Sequence, residues 1–394
     1  MAGLILPPAA WRNGEGLSQL YDALDGQARF VGGAVRDTLA GLAPKDVDLA
    51  TPLPPQAVIE RLKAAGIKTV PTGLAHGTIT AVLPGYPVEV TTLRRDVSTD
   101  GRRATIAFTD DWQADAARRD FTINALYADP VTGAVFDYFG GVDDLNAGLV
   151  RFIGEPLQRI AEDHLRILRY FRFHARFGRG APHAESLNAC ATRANDLMAL
   201  SRERIALEML ALLSLGDPTS IITLMLDHAI LKPVLPEITN SAPLVSLVAC
   251  EAGRFAPDPV RRLAALLPAD PALAESVANR LKLSNAKRKH LIHLAGRVPD
   301  DAGAPRALAY HLGPLVAQDR ILLGGGDPGD IAAWQVPRFP LTGGALIARG
   351  IKAGPIVARL LRQIETAWIA AGYPEGPGLA KLIDTALADQ AGAV

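Results

Sequence analysis

The sequence predicts an α+β fold, in which a small sheet-containing head precedes an all-helical remainder. In the first third of the chain, apolar residues form short runs rich in valine, isoleucine and threonine, and glycine or proline separates the runs. This pattern is typical of strands. After Gly154 the apolar residues recur at helical spacing instead, and we find only helical patterns from there onward.

The head contains four predicted strands with two predicted helices among them. The strand predictions are residues 29–31, 47–49, 78–83 and 88–92. The helix predictions are residues 35–41 and 56–65. Glycine and proline residues mark the ends of these segments.

The helical remainder begins at Pro156, a residue that suits the first turn of a helix. Apolar residues then repeat at helical spacing as far as Phe171, so we expect a helix across this stretch. Later helices are predicted at residues 184–197, 202–213, 221–229, 260–266, 272–281, 286–295 and 356–370. Glycine and proline around residues 324–344 indicate a linker before a terminal helical unit.

The composition restricts the possible classes of protein. The 394 residues leave room for two to four compact units, and 49% hydrophobic with 21% charged residues is typical of a folded chain. Lysine plus arginine equals aspartate plus glutamate, at 41 each, so any nucleic-acid surface must be local. Cys190 and Cys250 are far apart and have no neighbouring metal ligands, which argues against a disulfide scaffold and a zinc site.

The sequence carries no sign of a membrane or exported protein. Its start lacks a basic segment followed by a long apolar stretch. No run approaches the roughly 18 apolar residues that would span a bilayer. We therefore expect a cytoplasmic location and no membrane partner.

A glycine turn separates the first predicted strand from the first predicted helix. Gly32 and Gly33 follow an apolar run, so backbone N–H groups at the helix start can face a phosphate closely. A Gly-Gly pair alone is equally typical of a plain strand-to-helix connection. Arg36, one turn into the helix, adds a guanidinium that suits a phosphate and favours the binding interpretation.

Two aspartates follow in a strand-like segment that begins thirteen residues beyond Gly33. Because side chains alternate along a strand, Asp46 and Asp48 would point to one face and Val47 to the other. Two like charges so close are costly unless a cation holds them, and hard carboxylate oxygens suit Mg²⁺. The pair alone would also fit a solvated edge, but the preceding glycine turn favours a metal site.

Two further charged positions in the head have open interpretations. Glu89 is a carboxylate on a predicted strand, and it either joins the metal site or is simply exposed. Arg119 follows another arginine and precedes an aspartate, so it either neutralises a triphosphate or belongs to a charged helix cap.

A polar ridge is predicted along the helix at residues 162–173. Charged residues recur every three positions there, at Asp163, Arg166, Arg169 and Arg172, so each touches the next. Asp163 accepts hydrogen bonds and Arg166 donates them. Cytosine and adenine each present an amino donor beside a ring-nitrogen acceptor, so this pair would accept them and repel guanine and uracil. The alternative is a solvated face with internal ion pairs.

Four motifs in this order resemble the bacterial-type (class II) tRNA CCA-adding enzyme and poly(A) polymerase family. They are residues 32–37, 46–48, 118–126 and 162–166, and the resemblance is close over residues 28–210. It implies a mixed-sheet nucleotidyltransferase head at residues 1–140, a neck at 141–200, a body at 201–325 and an RNA-binding tail at 326–394. Residues 201–208 resemble the family's next motif, in which Glu203 and Arg204 would brace the neck.

The resemblance also implies a role for each candidate residue. Asp46 and Asp48 would hold Mg²⁺ as the catalytic residues, and Arg119 would contact the triphosphate. The remaining nucleotide contacts would come from Gly33, Arg36, Asp163, Arg166, Arg169 and Arg172.

The implied activity is addition or repair of the 3′-terminal CCA of tRNA from CTP and ATP, without a template and with release of pyrophosphate. Residues 72–80 look like the CCA-adding branch, since the arginine-rich segment of bacterial poly(A) polymerases is absent. Residues 94–115 resemble the flexible loop of enzymes that complete the terminal A.

We expect tRNA and no DNA as partner. Enzymes that add only CC or only A, a poly(A) polymerase, and an idle RNA-binding scaffold remain alternatives.

Overall fold

The computed structural model describes residues 4–100 and 103–392. Residues 1–3 and 393–394 lie outside the described part, as do residues 101–102 of the predicted flexible loop. The chain divides into two compact units. The first comprises Met1–Ser241 with Arg280–Lys282, and the second comprises Ala242–Asn279 with Leu283–Val394. The predicted division into four segments remains a prediction.

The first unit contains a mixed sheet, which confirms the predicted α+β head. Its strands in chain order are β1 (Arg29–Val31), β2 (Asp48–Thr51), β3 (Lys68–Gly73), β4 (Thr78–Leu83), β5 (Tyr86–Thr92), β6 (Arg94–Asp100), β7 (Arg103–Phe108), β8 (Leu126–Ala128) and β9 (Val135–Asp137). The strand order in the main sheet is β3-β4-β5-β2-β1-β8-β9, and β6 pairs with β7 in a separate hairpin. The β2–β5 pair is parallel, whereas the other pairs are antiparallel.

Helices surround this sheet and continue beyond it. The first unit contains α1 (Leu17–Ala23), α2 (Gly33–Leu39), α3 (Pro55–Ala64), α4 (Trp112–Ala117), α5 (Gly141–Ala147), α6 (Pro156–Glu162), α7 (Arg166–Phe177), α8 (Ala184–Thr192), α9 (Arg202–Leu213) and α10 (Thr219–Asp227). The later helices are α11 (Ala242–Glu251), α12 (Pro259–Leu266), α13 (Pro271–Arg280), α14 (Asn285–Ala295), α15 (Pro305–Leu312), α16 (Pro314–Leu323), α17 (Gly343–Ala348), α18 (Pro355–Ala370) and α19 (Pro377–Gly392). Short 3₁₀ turns cover Ala10–Asn13, Leu74–His76, Thr122–Asn124, Ala194–Ala199, Pro299–Gly303 and Ile331–Ala333.

The sheet buries both of its faces. Ile79 of β4 and Val90 of β5 are fully buried and belong to the same core cluster as Leu20 of α1 and Leu62 of α3. Along β2 the alternate residue Ala50 joins a second buried cluster with Tyr127, on the opposite face. The segments that precede and follow the strands are therefore attached to a sheet that is packed on both faces.

The predicted strands at residues 29–31 and 78–83 match the observed β1 and β4. The strand predicted near the two aspartates begins only at Asp48 and extends to Thr51. Asp46 is exposed and lies ahead of the strand, so its predicted place inside the strand was wrong. The cause is local, because chain pairing with β1 and β5 starts after Asp46. The predicted approach of its carboxylate to that of Asp48 stays a prediction.

The helix predicted from Pro156 onward is interrupted at Asp163. This residue has extended backbone angles, φ −154° and ψ 106°, and separates α6 from α7. Its side-chain Oδ1 accepts the N–H of Leu165 at 3.1 Å, a local bond that competes with helix continuation. Asp163 thus precedes the helical ridge instead of belonging to it.

A buried charge network fixes helices of the second unit. Glu251 of α11 is 2% exposed and accepts hydrogen bonds from Arg261 and Arg262 of α12, each with Nε at 2.8 Å. Arg261 also binds Asp319 of α16, with Nη1 2.6 Å from Oδ1. Asp319 in turn contacts His290 Nε2 at 2.9 Å. Four helices, α11, α12, α14 and α16, are thereby held by one set of paired charges.

Removing Glu251 should destabilise the second unit strongly. Glu251→Ala leaves two buried guanidinium groups without their shared carboxylate, and we expect a loss of about 3–5 kcal/mol in the free energy of unfolding. Urea denaturation followed by circular dichroism measures it. The control is Asp384→Ala, which removes an exposed partner of Arg349 and should have a much smaller effect. Equal losses in the two variants would contradict the role assigned to the buried network.

Candidate active site

A polar cavity of about 530 Å³ opens in the first unit, beside the end of β1 and the start of β2. Its walls hold six arginines and three aspartates. Such an excess of positive charge suits a polyanionic ligand. The lining residues are Val31, Gly32, Gly33, Arg36, Asp48, Arg94, Arg118, Arg119, Asp120, Asn124, Asp163, Arg166, Arg169 and Phe173.

The carboxylate end of the cavity is formed by Asp48. In the parallel β2–β5 pair Asp48 lies opposite Glu89, and Asp46 lies just ahead in the chain. Burial, followed by the nearby charges of Glu89 and Asp46, raises the pKa of Asp48 to about 6, although Arg119 opposes this shift. Crowded carboxylates of this kind fit a hard divalent cation, so Asp46 and Asp48 could hold one, with Glu89 beside them.

The glycine turn requires its glycine. Gly32 has φ 63° and ψ −116°, a conformation that other residues rarely adopt. A Cβ there would also lie 3.5 Å from Arg119 Nη1 and from the Asn124 carbonyl oxygen. The turn therefore brings bare backbone to the cavity wall, directly before Gly33 at the start of α2.

Arg36 joins α2 to α7. Its Nε donates to Asp37 Oδ1 at 2.8 Å, and its Nη1 donates to Asn124. The guanidinium also lies over the rings of Phe173 and Phe177, at 5.0 and 4.5 Å from their centroids. Burial lowers the pKa of Arg36 despite the opposing effect of Asp37. The residue is thus an anchor between two helices as well as part of the wall.

Arg119 forms the middle of the cavity wall, close to the glycine turn. Its Nε donates to the Tyr127 hydroxyl at 3.2 Å, and its Nη2 donates to Asp115 at 3.0 Å. Burial would lower the pKa of this guanidinium, but the interactions with Tyr127 and Asp115 raise it. Arg119 is therefore a permanent, fixed positive charge in the wall.

Asp163 and Arg166 lie at the helical end of the cavity, and both are held by neighbours. Asp163 Oδ2 accepts from Arg204 Nη2 at 2.7 Å. Arg166 donates from Nη1 to Glu162 at 2.6 Å and from Nη2 to the Arg118 carbonyl at 3.0 Å. An acceptor and a donor are therefore each held by partners at this end of the cavity, although Asp163 is outside the helix.

The two remaining arginines of the predicted ridge differ in position. Arg169 lines the cavity and donates from Nε to Asp120 Oδ2 at 2.7 Å. Burial would raise the pKa of Asp120, but Arg169 outweighs it and the pKa is held at about 2. Arg172 instead binds Glu208 of α9, with Nε 2.5 Å from Oε2. It is not among the residues that line the cavity, and its expected contact with the nucleotide stays a prediction.

Several lining residues were not among the predicted ones. Arg118 and Asp120 flank Arg119 directly in sequence, so the same basic-acidic run carries a signal for them. Arg94 and Phe173 carry no such signal, because only the folded chain brings them to the wall.

Within the described part of the chain, one group of three potential ligands has atoms within 4.8 Å of one another, namely Asp258, His290 and Asp319 in the second unit. Asp319 is already paired with Arg261, and Asp258 Oδ1 accepts two backbone N–H groups at the start of α12. These carboxylates are satisfied by the protein, so the crowded carboxylates around Asp48 are the better cation site.

Comparison with known proteins gives consistent relationships. Residues 28–151 match the family described as "Poly A polymerase head domain", and residues 181–241 match "Probable RNA and SrmB- binding site of polymerase A". The chain is 37% identical to the mouse protein "CCA tRNA nucleotidyltransferase 1, mitochondrial" over 91% of this chain and 86% of that protein. The human protein of the same name is 35% identical, with the same coverage.

A solved structure shares the fold over nearly the whole chain. This is the Bacillus stearothermophilus CCA-adding enzyme in complex with CTP, with a TM-score of 0.74 and 25% sequence identity. The match covers 96% of this chain and 100% of that one.

The pKa of Asp48 has a consequence for stability. A carboxyl whose pKa is about 6 when folded and 3.8 when unfolded stabilises the fold fully below pH 4, and this stabilisation is lost as the pH rises through 6. Without divalent cations, Asp48→Asn should therefore raise the free energy of unfolding by about 1–3 kcal/mol at pH 8 and leave it unchanged at pH 4.

Urea denaturation in a chelator at pH 4, 6 and 8 tests this. The control is Asp22→Asn, which neutralises an exposed carboxylate of α1 and should change the free energy of unfolding little. An Asp48→Asn effect of the same size at all three pH values would disprove the assignment.

Proposed function

Because the chain belongs to the CCA tRNA nucleotidyltransferase family, we propose that it adds or repairs the terminal CCA of tRNA from CTP and ATP and releases pyrophosphate. The observation that carries this function is one cavity that combines crowded carboxylates, an arginine wall and the Asp163–Arg166 pair. The CTP complex of the similar Bacillus stearothermophilus enzyme supports a nucleotide as the ligand.

The carboxylates would provide the catalytic centre. Asp46 and Asp48 would hold a divalent cation, and Mg²⁺ is the expected ion because it prefers oxygen ligands completed by phosphates. When bound, such an ion polarises the RNA 3′ hydroxyl and the α-phosphate. In the proposed reaction the RNA 3′ hydroxyl would lose its proton to solvent as its oxygen bonds to the α-phosphorus. The bond from the α-phosphorus to the β-phosphate oxygen would break, and pyrophosphate would leave with that oxygen.

The arginine wall would hold the triphosphate in line for this displacement. Arg119 is fixed by Tyr127 and Asp115 and lies beside the glycine turn, so its charge needs no rearrangement when phosphate enters. Arg36 and Gly33 extend the same wall. Preorganised positive charge of this kind stabilises both the bound nucleotide and the departing pyrophosphate.

Base selection would belong to Asp163 and Arg166. The carboxylate accepts the amino group that cytosine and adenine share, and the guanidinium donates to the adjacent ring nitrogen. Guanine and uracil would place a carbonyl oxygen against the carboxylate and a ring N–H against the guanidinium, which would leave these polar groups unpaired. Glu162, the Arg118 carbonyl and Arg204 would keep the pair in the required orientation.

The cellular location is a separate proposal. Across the described residues, no helix combines the length and apolar character needed to cross a membrane. We place the protein in the cytoplasm from its sequence, whereas the mouse and human relatives carry the word mitochondrial in their names.

Sequencing of reaction products tests the proposed activity. With Mg²⁺ and a tRNA transcript that ends before CCA, CTP alone should add two cytidines, and CTP with ATP should give CCA and then stop. Asp48→Ala should lower the rate by on the order of 10³-fold, since several kcal/mol of charge stabilisation is lost.

Products of the unaltered protein that stop at CC would indicate an enzyme that adds only the two cytidines. An A-tail from ATP alone would indicate a poly(A) polymerase, and no extension an idle scaffold.

Replacement of Arg166 tests the base-selection proposal. Arg166→Ala should reduce the preference for CTP and ATP over GTP and UTP about tenfold or more, because one hydrogen bond to the base is lost. Competition between the four nucleotides at equal concentration measures this preference. Arg61→Ala is the control, since that side chain pairs with Asp25 and lies outside the cavity lining, and it should leave selectivity unchanged. Unchanged discrimination in Arg166→Ala would contradict the proposal.

A further inference from the structure

Asp115 is a buried carboxylate that none of the roles above includes. It lies in α4, is 1% exposed, and is not among the cavity-lining residues. A charge so deeply buried is costly unless it is fully hydrogen-bonded. Its partners therefore indicate what it does.

Both oxygens of Asp115 are saturated, and its donors include two arginines of the wall. Oδ1 accepts from Arg118 Nε at 2.9 Å and Nη2 at 2.7 Å, and from the backbone N–H of Arg94 at 3.2 Å. Oδ2 accepts from Arg119 Nη2 at 3.0 Å and from the Tyr127 hydroxyl at 2.7 Å. One carboxylate thus contacts three residues that line the cavity.

The contacts fix direction as well as position. Arg118 donates to Asp115 from two nitrogens, Nε and Nη2, on one edge of its guanidinium. Arg119 donates to Asp115 from Nη2, and its Nε donates to the Tyr127 hydroxyl, which itself donates to Asp115. Among the described residues, Arg119 Nη1 has no hydrogen-bond partner, and it lies 3.5 Å from the Cβ position at Gly32. The free edge of the guanidinium therefore faces the glycine turn.

The charge of Asp115 remains fixed over the working pH range. Burial would raise its pKa, but Arg119 and Arg118, with the hydrogen bond from Tyr127, hold the pKa at about 2. One carboxylate faces two guanidinium groups, so the cluster keeps a net positive charge for an anion.

We propose that Asp115 is a positioning residue for nucleotidyl transfer, which orients Arg118 and Arg119 so that their free N–H groups bind the phosphate chain of the incoming nucleotide. The inference rests on the proposed function for the identity of that nucleotide. Asp115 itself does not touch the substrate. It acts through the two arginines in front of it.

Two effects compete when Asp115 is neutralised. Loss of the negative charge of Asp115 strengthens the attraction of the cavity for anions. Loss of the carboxylate as hydrogen-bond acceptor frees the side chains of Arg118 and Arg119 to rotate. Multidentate contact with phosphate depends on a fixed guanidinium direction, so loss of orientation should win. The sign of the change in affinity therefore separates positioning from a simple effect of charge.

The test uses the full chain and inorganic triphosphate as the probe, by isothermal titration calorimetry, together with KM and kcat for CTP on a tRNA transcript. Asp115→Asn should weaken triphosphate binding about tenfold and raise KM by a similar factor, with a smaller change in kcat. Asp111→Ala is the matched control, because it removes the N-cap of the same helix and lowers its stability. Its triphosphate affinity should equal that of the unaltered protein.

Several outcomes would overturn the inference. These are unchanged or tighter triphosphate binding by Asp115→Asn, equal weakening in Asp111→Ala, or no triphosphate binding by the unaltered protein. If Asp115→Asn does not fold, Tyr127→Phe decides, since it removes only the hydroxyl between Asp115 and Arg119 and should weaken binding two- to fivefold. No change there would overturn the inference. A protein that binds triphosphate as expected but adds no CCA would refute the proposed function alone.

Discussion

The pairing of buried carboxylates with arginines is the interaction on which the active cavity depends. Six arginines line one cavity, and their mutual repulsion would open it if they were unpaired. Carboxylates that the fold places around the cavity bind arginines of this wall. Arg36 binds Asp37, Arg118 and Arg119 share Asp115, Arg166 binds Glu162, and Arg169 binds Asp120. Because these acids leave some positive charge uncompensated, the wall is both rigid and attractive to phosphate.

The carboxylate end of the cavity depends on a different constraint, the parallel pairing of β2 with β5. This pairing sets Glu89 opposite Asp48, although β3 and β4 separate the two strands in the chain. Antiparallel neighbours on the other side, β1 and β8, carry the glycine turn and Asn124 to the same region. The site is therefore assembled from segments that meet only when the sheet forms, and the fold and the chemistry cannot be separated.

Sequence patterns predicted the features that depend on local periodicity. Strand β4 alternates buried and less buried residues along its length, so its bounds were visible in advance. The break at Asp163 was not visible, because its bond to the Leu165 N–H outweighs helical spacing and its partner Arg204 comes from another helix. The partner of Arg172 was not visible either, since spacing shows which side of a helix a residue occupies but not that Glu208 will bind it. Asp115 was not predicted as a site residue, because its positioning role depends on contacts with Tyr127 and with the backbone of Arg94 that form only in the folded chain.

The interruption between α6 and α7 affects how quickly the site can adapt to successive substrates. Asp163 has extended backbone between two helices, so its carboxylate can be re-aimed by side-chain rotation while both helices stay intact, once it releases Arg204 and the Leu165 N–H. Rotations of exposed side chains take picoseconds to nanoseconds and release of these bonds adds to that time, whereas register shifts of a helix take microseconds to milliseconds. A typical enzyme turnover of about 10 s⁻¹ is far slower than either. Adjustment of this residue between a pyrimidine and a purine would therefore be complete long before each chemical step, and it would not limit the overall rate.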